Sequence, residues 1–333
     1  MNTPSSSPAP APTSAALGIT LILTTLVGWS SVPLFIKHFA STIDLWTSNG
    51  WRYGFSAIIW APTAILATLS GRADGRLWKA ALTPSFFNAA GQTCFAWSFY
   101  EIDPGLATFG LRMQIVFVAL GAYVLFSAER AVIRRPGYLA GALLVLAGTL
   151  GTLLLSPGGS STFETDHGQT FGFILAVLGG FFFACYALSV RYFMQGVSSI
   201  TAFSVISQYT ALIMVGLMML LGTKGGATAF DLPAAQLGLL LLSAIIGIAL
   251  GHVMYYAAIA RLGVAVSSGV VQLQPVLVTA ASWPLFGERM TPTQLACGVV
   301  AIFGAGLMLA VQHSLSKTRR EAREMEEAQA EQA

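Results

Sequence analysis

Long apolar runs alternate with short polar breaks along almost the whole chain. Ten runs stand out, at 17–36, 46–69, 82–100, 106–126, 137–155, 170–190, 200–221, 236–259, 264–286 and 293–312. Each approaches or exceeds the roughly 20 residues a helix needs to cross the hydrocarbon core. Ten-residue segments of strand-like alternation are absent, and only helices or closed barrels satisfy their backbone in lipid. The pattern therefore predicts an all-α polytopic membrane protein with ten transmembrane helices. The run at 82–100 is the least apolar, and its assignment leans on the repeat described next.

The loop "SPGGSSTFETDHGQ", 156–169, divides the chain into two sets of five runs, 17–155 and 170–312. The halves echo one another. Residues 106–130, "LATFGLRMQIVFVALGAYVLFSAER", align without gaps to 265–289, "AVSSGVVQLQPVLVTAASWPLFGER". This places Gly110 on Gly269, Arg112 on Val271, Val116 on Pro275, and Glu129-Arg130 on Glu288-Arg289. Lys37 and Phe39 match Arg191 and Phe193, "WRY" (51–53) meets "SQY" (207–209), and Trp97 meets Tyr256. A unit of five spans ends on the side opposite its start, so a second copy is inverted. Inverted repeats around a midplane site are a recurrent transporter architecture.

Charge orients the bundle. With the N-terminus inside, inner loops hold Arg72, Arg76, Lys79, Arg130, Arg134, Arg135, Arg191 and Arg261, and the tail adds Lys317, Arg319, Arg320 and Arg323. The outer side holds Lys37, Lys224 and Arg289, so the count is twelve against three. The positive-inside rule then puts both termini in the cytoplasm of a cell with this protein in its inner membrane. Residues 1–16, rich in Pro, Ser and Ala, lack the basic start of a signal peptide and read as a disordered cytoplasmic tail. Residues 313–333 form a charged cytoplasmic tail, basic and then acidic.

Composition agrees: 55% hydrophobic and 9% charged residues exclude an ordinary soluble domain. Cys94, Cys185 and Cys297 lie in apolar runs without metal or redox spacing. The four histidines form no metal motif. No clustered acid, base or nucleophile points to an enzyme, and no cofactor or nucleic-acid partner is expected.

The chain resembles the EamA-type members of the drug/metabolite transporter superfamily. The resemblance spans about 17–312 and rests on "GWSSVPLFIK" and on "QPVLVTAASWPLFGERMTPTQLACGVVAIFGAGLML" (274–309). It implies two inverted five-helix repeats and a central cavity lined by the first, third and fourth helices of each half. It also implies alternating-access transport, mostly outward, of amino acids, other metabolites or drugs. The chain departs from the family pattern where Val116 stands opposite Pro275.

Polar residues inside the spans are the binding candidates. Arg112 lies about six residues, or roughly 9 Å, into its span, with Gln114 two places on. Arg52 lies at similar depth and aligns with Gln208. At the bilayer centre such a charge costs at least about 2.5–3.5 kcal/mol, so it faces a cavity or a partner, or snorkels outward. Two readings of the arginines stay open. They hold an acidic group of the substrate, which guanidinium binds bidentately. Alternatively, Arg112 pairs with Glu101 or Asp103, and Arg52 with Asp44. His252 is the one mid-span histidine, and because an ordinary histidine titrates near neutral pH it is a candidate carrier for a coupling proton. Gln92, Gln272 and Gln274 add uncharged hydrogen-bonding groups. Trp29, Trp97 and Tyr256 supply an aromatic wall. The expected partners are a small-molecule substrate and the lipid bilayer. A coupling proton, a homodimer, passive facilitation and an organic-cation substrate are left open.

Overall fold

The computed structural model describes residues 12–155, 167–262, 267 and 270–332, with side chains left out at 12–15, 128, 153, 167, 260 and 315–332. The described residues fold into helices, with no strand among them. In chain order the main helices are α1 (Pro12–Phe39), α2 (Leu45–Leu69), α3 (Gly75–Glu101), α4 (Pro104–Leu111), α5 (Gln114–Leu125) and α6 (Pro136–Leu154). After the divide come α7 (His167–Phe193), α8 (Ser199–Leu221), α9 (Ala234–Ala244), α10 (Gly251–Leu262), α11 (Gln274–Phe286) and α12 (Pro292–Gln332). A π-helical stretch, Ile245–Leu250, joins α9 to α10. The start of the predicted run 264–286 and most of the dividing loop lie outside the described residues.

Six helical segments are long and apolar enough to cross a membrane. They are Ala16–Phe39, Pro104–Leu125, Gly168–Phe193, Ser199–Leu221, Ala234–Ile259 and Pro292–Ser314; Pro136–Thr152 is a shorter apolar helix. The helix α2 misses this standard because it buries Thr47, Ser48, Asn49, Arg52 and Ser56. In α3 the corresponding residues are Ser85, Asn88 and Ser98. Their polar side chains face inward, while Ile58, Ile65, Leu66, Leu82 and Phe86 are exposed on the outside. That is the arrangement a lipid-facing bundle requires, and it dilutes hydropathy without removing the apolar belt.

Local chemistry sets the helix starts. Asp44 accepts from the Thr47 amide at 2.9 Å, Asp74 from the Leu77 amide at 2.9 Å, and Ser198 from the Thr201 amide at 3.2 Å. Each satisfies a first-turn N–H that has no partner within its helix. Asp44 also accepts from the Thr223 amide at 3.0 Å, tying the first half of the chain to the second.

The start of α1 defines the proximal end of the bundle and its finish the distal end. At the distal end, the Lys37 Nζ donates to the carbonyl of Ile102, just after α3, at 3.1 Å. The first turns of α7 lie at the same place, because a Cβ on Gly172 would strike Glu101 and Ile102. So α1 runs proximal to distal, and α7, the first helix of the second half, runs the other way. Elsewhere, α6 and α12 pack backbone to backbone. A Cβ on Gly141 would come within 2.7 Å of the Gly304 carbonyl, and one on Gly304 within 2.6 Å of the Gly141 carbonyl. Small residues permit this approach where lipid supplies no hydrophobic drive between helices.

Candidate functional site

Arg112 sits where α4 gives way to α5. The span does not unwind there; it tightens. Met113 N–H donates to Gly110 O at 3.1 Å and Val116 N–H to Met113 O at 3.0 Å, both three-residue steps. The second half repeats this: Leu273 N–H donates to Val270 O at 3.1 Å and Val276 N–H to Leu273 O at 3.0 Å. A short 3₁₀ turn inside a helix commonly marks a functional hinge. The matched turns correct the ungapped alignment by one residue at this depth. Arg112 corresponds to Gln272, Gln114 to Gln274 and Ile115 to Pro275, while Leu125-Phe126 falls on Leu285-Phe286. The slip has a simple cause: the first half has "FSAER" (126–130) where the second has "FGER" (286–289), one residue longer.

The two turns are joined by a side chain. Arg112 Nη2 donates to Gln274 Oε1 at 2.5 Å, and Nη1 makes a long contact of 3.5 Å to Gln272 Oε1. Gln274 Nε2 in turn donates to the Trp29 carbonyl at 2.8 Å. The Nε of Arg112 is buried without a hydrogen-bond partner among the described residues. No carboxylate among the described residues pairs with Arg112, so the Glu101 and Asp103 pairings expected as one alternative are not formed. Glu101 instead accepts from Trp97 Nε1 at 2.9 Å.

Rings enclose the neighbouring space. Trp29 meets His252 at 5.4 Å and Tyr255 at 5.0 Å between centroids. His252 lies 4.8 Å from Phe203 and 6.5 Å from Tyr256. Tyr255 is within electrostatic reach of Arg112. A cavity of about 210 Å³ lies near the proximal end of α7 and shares Tyr256 and Phe203 with this ring cluster; Tyr186, Val190, Met194 and Ile206 also line it. Trp29, His252, Tyr255 and Tyr256 are half-buried, and Tyr256 lines the cavity.

The π-helical stretch holds this wall in place. Trp29 Nε1 donates to the Gly247 carbonyl at 3.1 Å and Trp60 Nε1 to the Ala249 carbonyl at 3.2 Å. Gly247 and Gly251 make room for Val32 and for the Trp29 indole, which a Cβ at either position would strike.

The other candidates fall elsewhere. Arg52 is only 2% exposed and donates through Nε to Ser243 Oγ at 3.0 Å. Its Nη1 has no partner among the described residues, and Asp44, its expected partner, caps α2. Arg52 touches the site only indirectly, since its Nη2 lies against Gly247. Gln208 Nε2 ties α8 to the Ala57 carbonyl of α2 at 3.2 Å. The Gln92 carbonyl accepts a long 3.5 Å contact from Asn49. Gln114 packs its backbone against Gly180 of α7. Trp97 lines a separate distal pocket of about 510 Å³, with Trp46, Tyr100 and Asp44. Of the sequence candidates, Trp29, Arg112, His252, Tyr256, Gln272 and Gln274 lie near one another in the structure. Phe203 is not among the sequence candidates, because a phenylalanine in an apolar run carries no distinguishing signal.

No curated protein matches the chain. A solved crystal structure aligns with 92% of this chain and 98% of its own, at a TM-score of 0.56 and 16% identity, which establishes a shared fold. The model of the EamA-like transporter family matches twice, over residues 16–154 and 170–310, once for each half. The duplication read from the two tightened turns is therefore that family's own repeat, and the chain is a multi-pass membrane protein belonging to the EamA-like transporter family.

Proposed function

We propose that the chain is a secondary transporter that exports a small carboxylated metabolite, an amino acid or close relative, by alternating access. One observation carries the reading: Arg112 is a cation among neutral glutamines, with an unused buried donor, at a turn repeated in both halves. A carboxylate would complete the guanidinium's donor set bidentately. The rings of Trp29, Tyr255 and Tyr256 suit an ammonium or an apolar side chain beside it. An organic cation fits less well, because Arg112 would repel it.

The opposed directions of α1 and α7 support ten helices in two inverted five-helix repeats. The excess of Lys and Arg at the proximal end supports cytoplasmic termini in the inner membrane. The 210 Å³ cavity then lies at the cytoplasmic end of the bundle, the side from which an exported substrate is loaded.

The test is a thermal-shift comparison on purified protein. Amino acids would be set against their amides and their decarboxylated amines. The proposal expects the acids alone to raise the melting temperature. Equal stabilisation by the amines or amides contradicts it.

A further inference from the structure

Two ion pairs join the halves of the chain, one at each end of the bundle. At the distal end Lys37 Nζ lies 3.8 Å from Glu288 Oε1. At the proximal end Arg191 Nη2 lies 2.6 Å from Glu129 Oε1. The four residues are repeat mates. Lys37 and Arg191 each stand two residues before the phenylalanine that ends the first helix of their half, Phe39 and Phe193. Glu129 and Glu288 each stand in the "ER" that follows the fourth span of their half. Each pair therefore takes its cation from one half and its carboxylate from the other, with the halves exchanged.

The surroundings repeat as well. Arg130 lies 5.7 Å over the Tyr123 ring, and Arg289 lies 5.1 Å over the Trp283 ring. In the register set by the tightened turns, Tyr123 and Trp283 are mates. Arg191 also stacks on Phe126 at 4.2 Å. Glu288 accepts a short hydrogen bond from Ser282. Lys37 holds the Ile102 carbonyl and thereby the junction of α3 and α4. Each pair thus closes a corner where the first helix of one half meets the fourth span of the other.

We propose that Lys37–Glu288 and Arg191–Glu129 are the two gates of the transport cycle, released one at a time to open the pathway at opposite ends. This rests on the transporter reading. Both pairs are formed at once here, and both are partly exposed. Ion pairs in that setting are weak enough to break and re-form within a cycle. The inverted repeat supplies the alternation, because opening one corner repeats in mirror order what opening the other requires.

The test measures distances in the full-length protein, in nanodiscs, with Cys94, Cys185 and Cys297 replaced by serine. Spin labels at Ser41→Cys and Arg289→Cys report the distal end; labels at Ala131→Cys and Gln195→Cys report the proximal end. Glu288→Gln is expected to lengthen the distal distances and leave the proximal ones, and Glu129→Gln to do the reverse. The swap Lys37→Glu with Glu288→Lys is expected to restore the distal distances, which a merely damaged fold would not permit. If both variants move the same end, or neither end moves, the proposal is overturned. Flux of radiolabelled amino acids in proteoliposomes keeps the two readings apart. Opposed shifts without flux leave the gates standing and remove the substrate; flux without shifts does the opposite.

Discussion

Arg112 and Gln274 join the two halves of the chain, with Nη2 donating to Oε1 across 2.5 Å. Each residue sits on or just beyond the tightened turn of its own half, so the bond links the two hinges directly. Gln274 passes the link to the Trp29 carbonyl, and the Trp29 indole passes it to Gly247 in the π-helical stretch. A ligand that takes Arg112 from Gln274 frees a chain of hydrogen bonds reaching three helices. On the proposed function, these hydrogen bonds are the route by which binding at the site would move the walls.

Arg52 and its partner Ser243 should respond in opposite ways. Arg52→Met removes a buried charge that has no carboxylate partner among the described residues, and buried charges are often replaced by apolar groups without loss. It is expected to leave the melting temperature unchanged or raise it. Ser243→Ala strips the guanidinium of its Nε acceptor and is expected to cost about 1–3 kcal/mol. Thermal unfolding of both variants in one detergent decides this. A large loss in Arg52→Met would mean that the charge is held by more than Ser243.

Glu288 lies beyond the end of α11, outside the span, and its carboxyl is raised from 4.5 to about 7. Burial is the first cause; Asp103 also raises it, while Ser282 and Lys37 pull it down. A carboxyl with a raised value in the folded state binds its proton more tightly there than when unfolded. Stability then falls as pH rises from about 4.5 through about 7. The melting temperature is expected to decline across that window in the wild type, and Glu288→Gln should flatten the decline. An unchanged slope in the variant would assign the dependence to another group.

The α6–α12 contact makes a sharp pair of predictions. Gly141→Ala drives a Cβ into the Gly304 carbonyl and Met308. Overpacking of this kind typically costs about 1–3 kcal/mol. Gly306→Ala, on the same helix pair, meets nothing within 4 Å and is expected to be neutral or stabilising. Urea or thermal unfolding should rank the two.

Much of this was legible in the sequence for a physical reason. Lipid forces long apolar runs, so helix positions such as 17–36 and 200–221 stand out, and a duplication of those runs exposes the repeat. Arg112 was visible because a guanidinium in an apolar run is costly enough to need a cause. What was hidden depends on geometry finer than composition. The π-helical stretch in "SAIIGIALGH" (243–252) has no residue that demands it; tertiary bonds from Trp29 and Trp60 accompany it. The one-residue slip at "FSAER" was masked because Glu129-Arg130 still matches Glu288-Arg289 without a gap. Arg52 looked like the equal of Arg112 by depth alone. Its partner, Ser243, lies 191 residues away in sequence, beyond the reach of any local pattern.

On the proposed function, Arg112 binds the substrate's carboxylate. The measurement that tests it most directly is amino-acid affinity, by calorimetry, for wild type, Arg112→Lys and Arg112→Gln. A hydrogen bond to a charged group contributes about 1.5–3 kcal/mol, so Arg112→Gln is predicted to bind roughly ten-fold to a hundred-fold more weakly, with Arg112→Lys in between. Equal affinity in all three folded proteins would contradict the account and make Arg112 a clasp between the two hinges and nothing more.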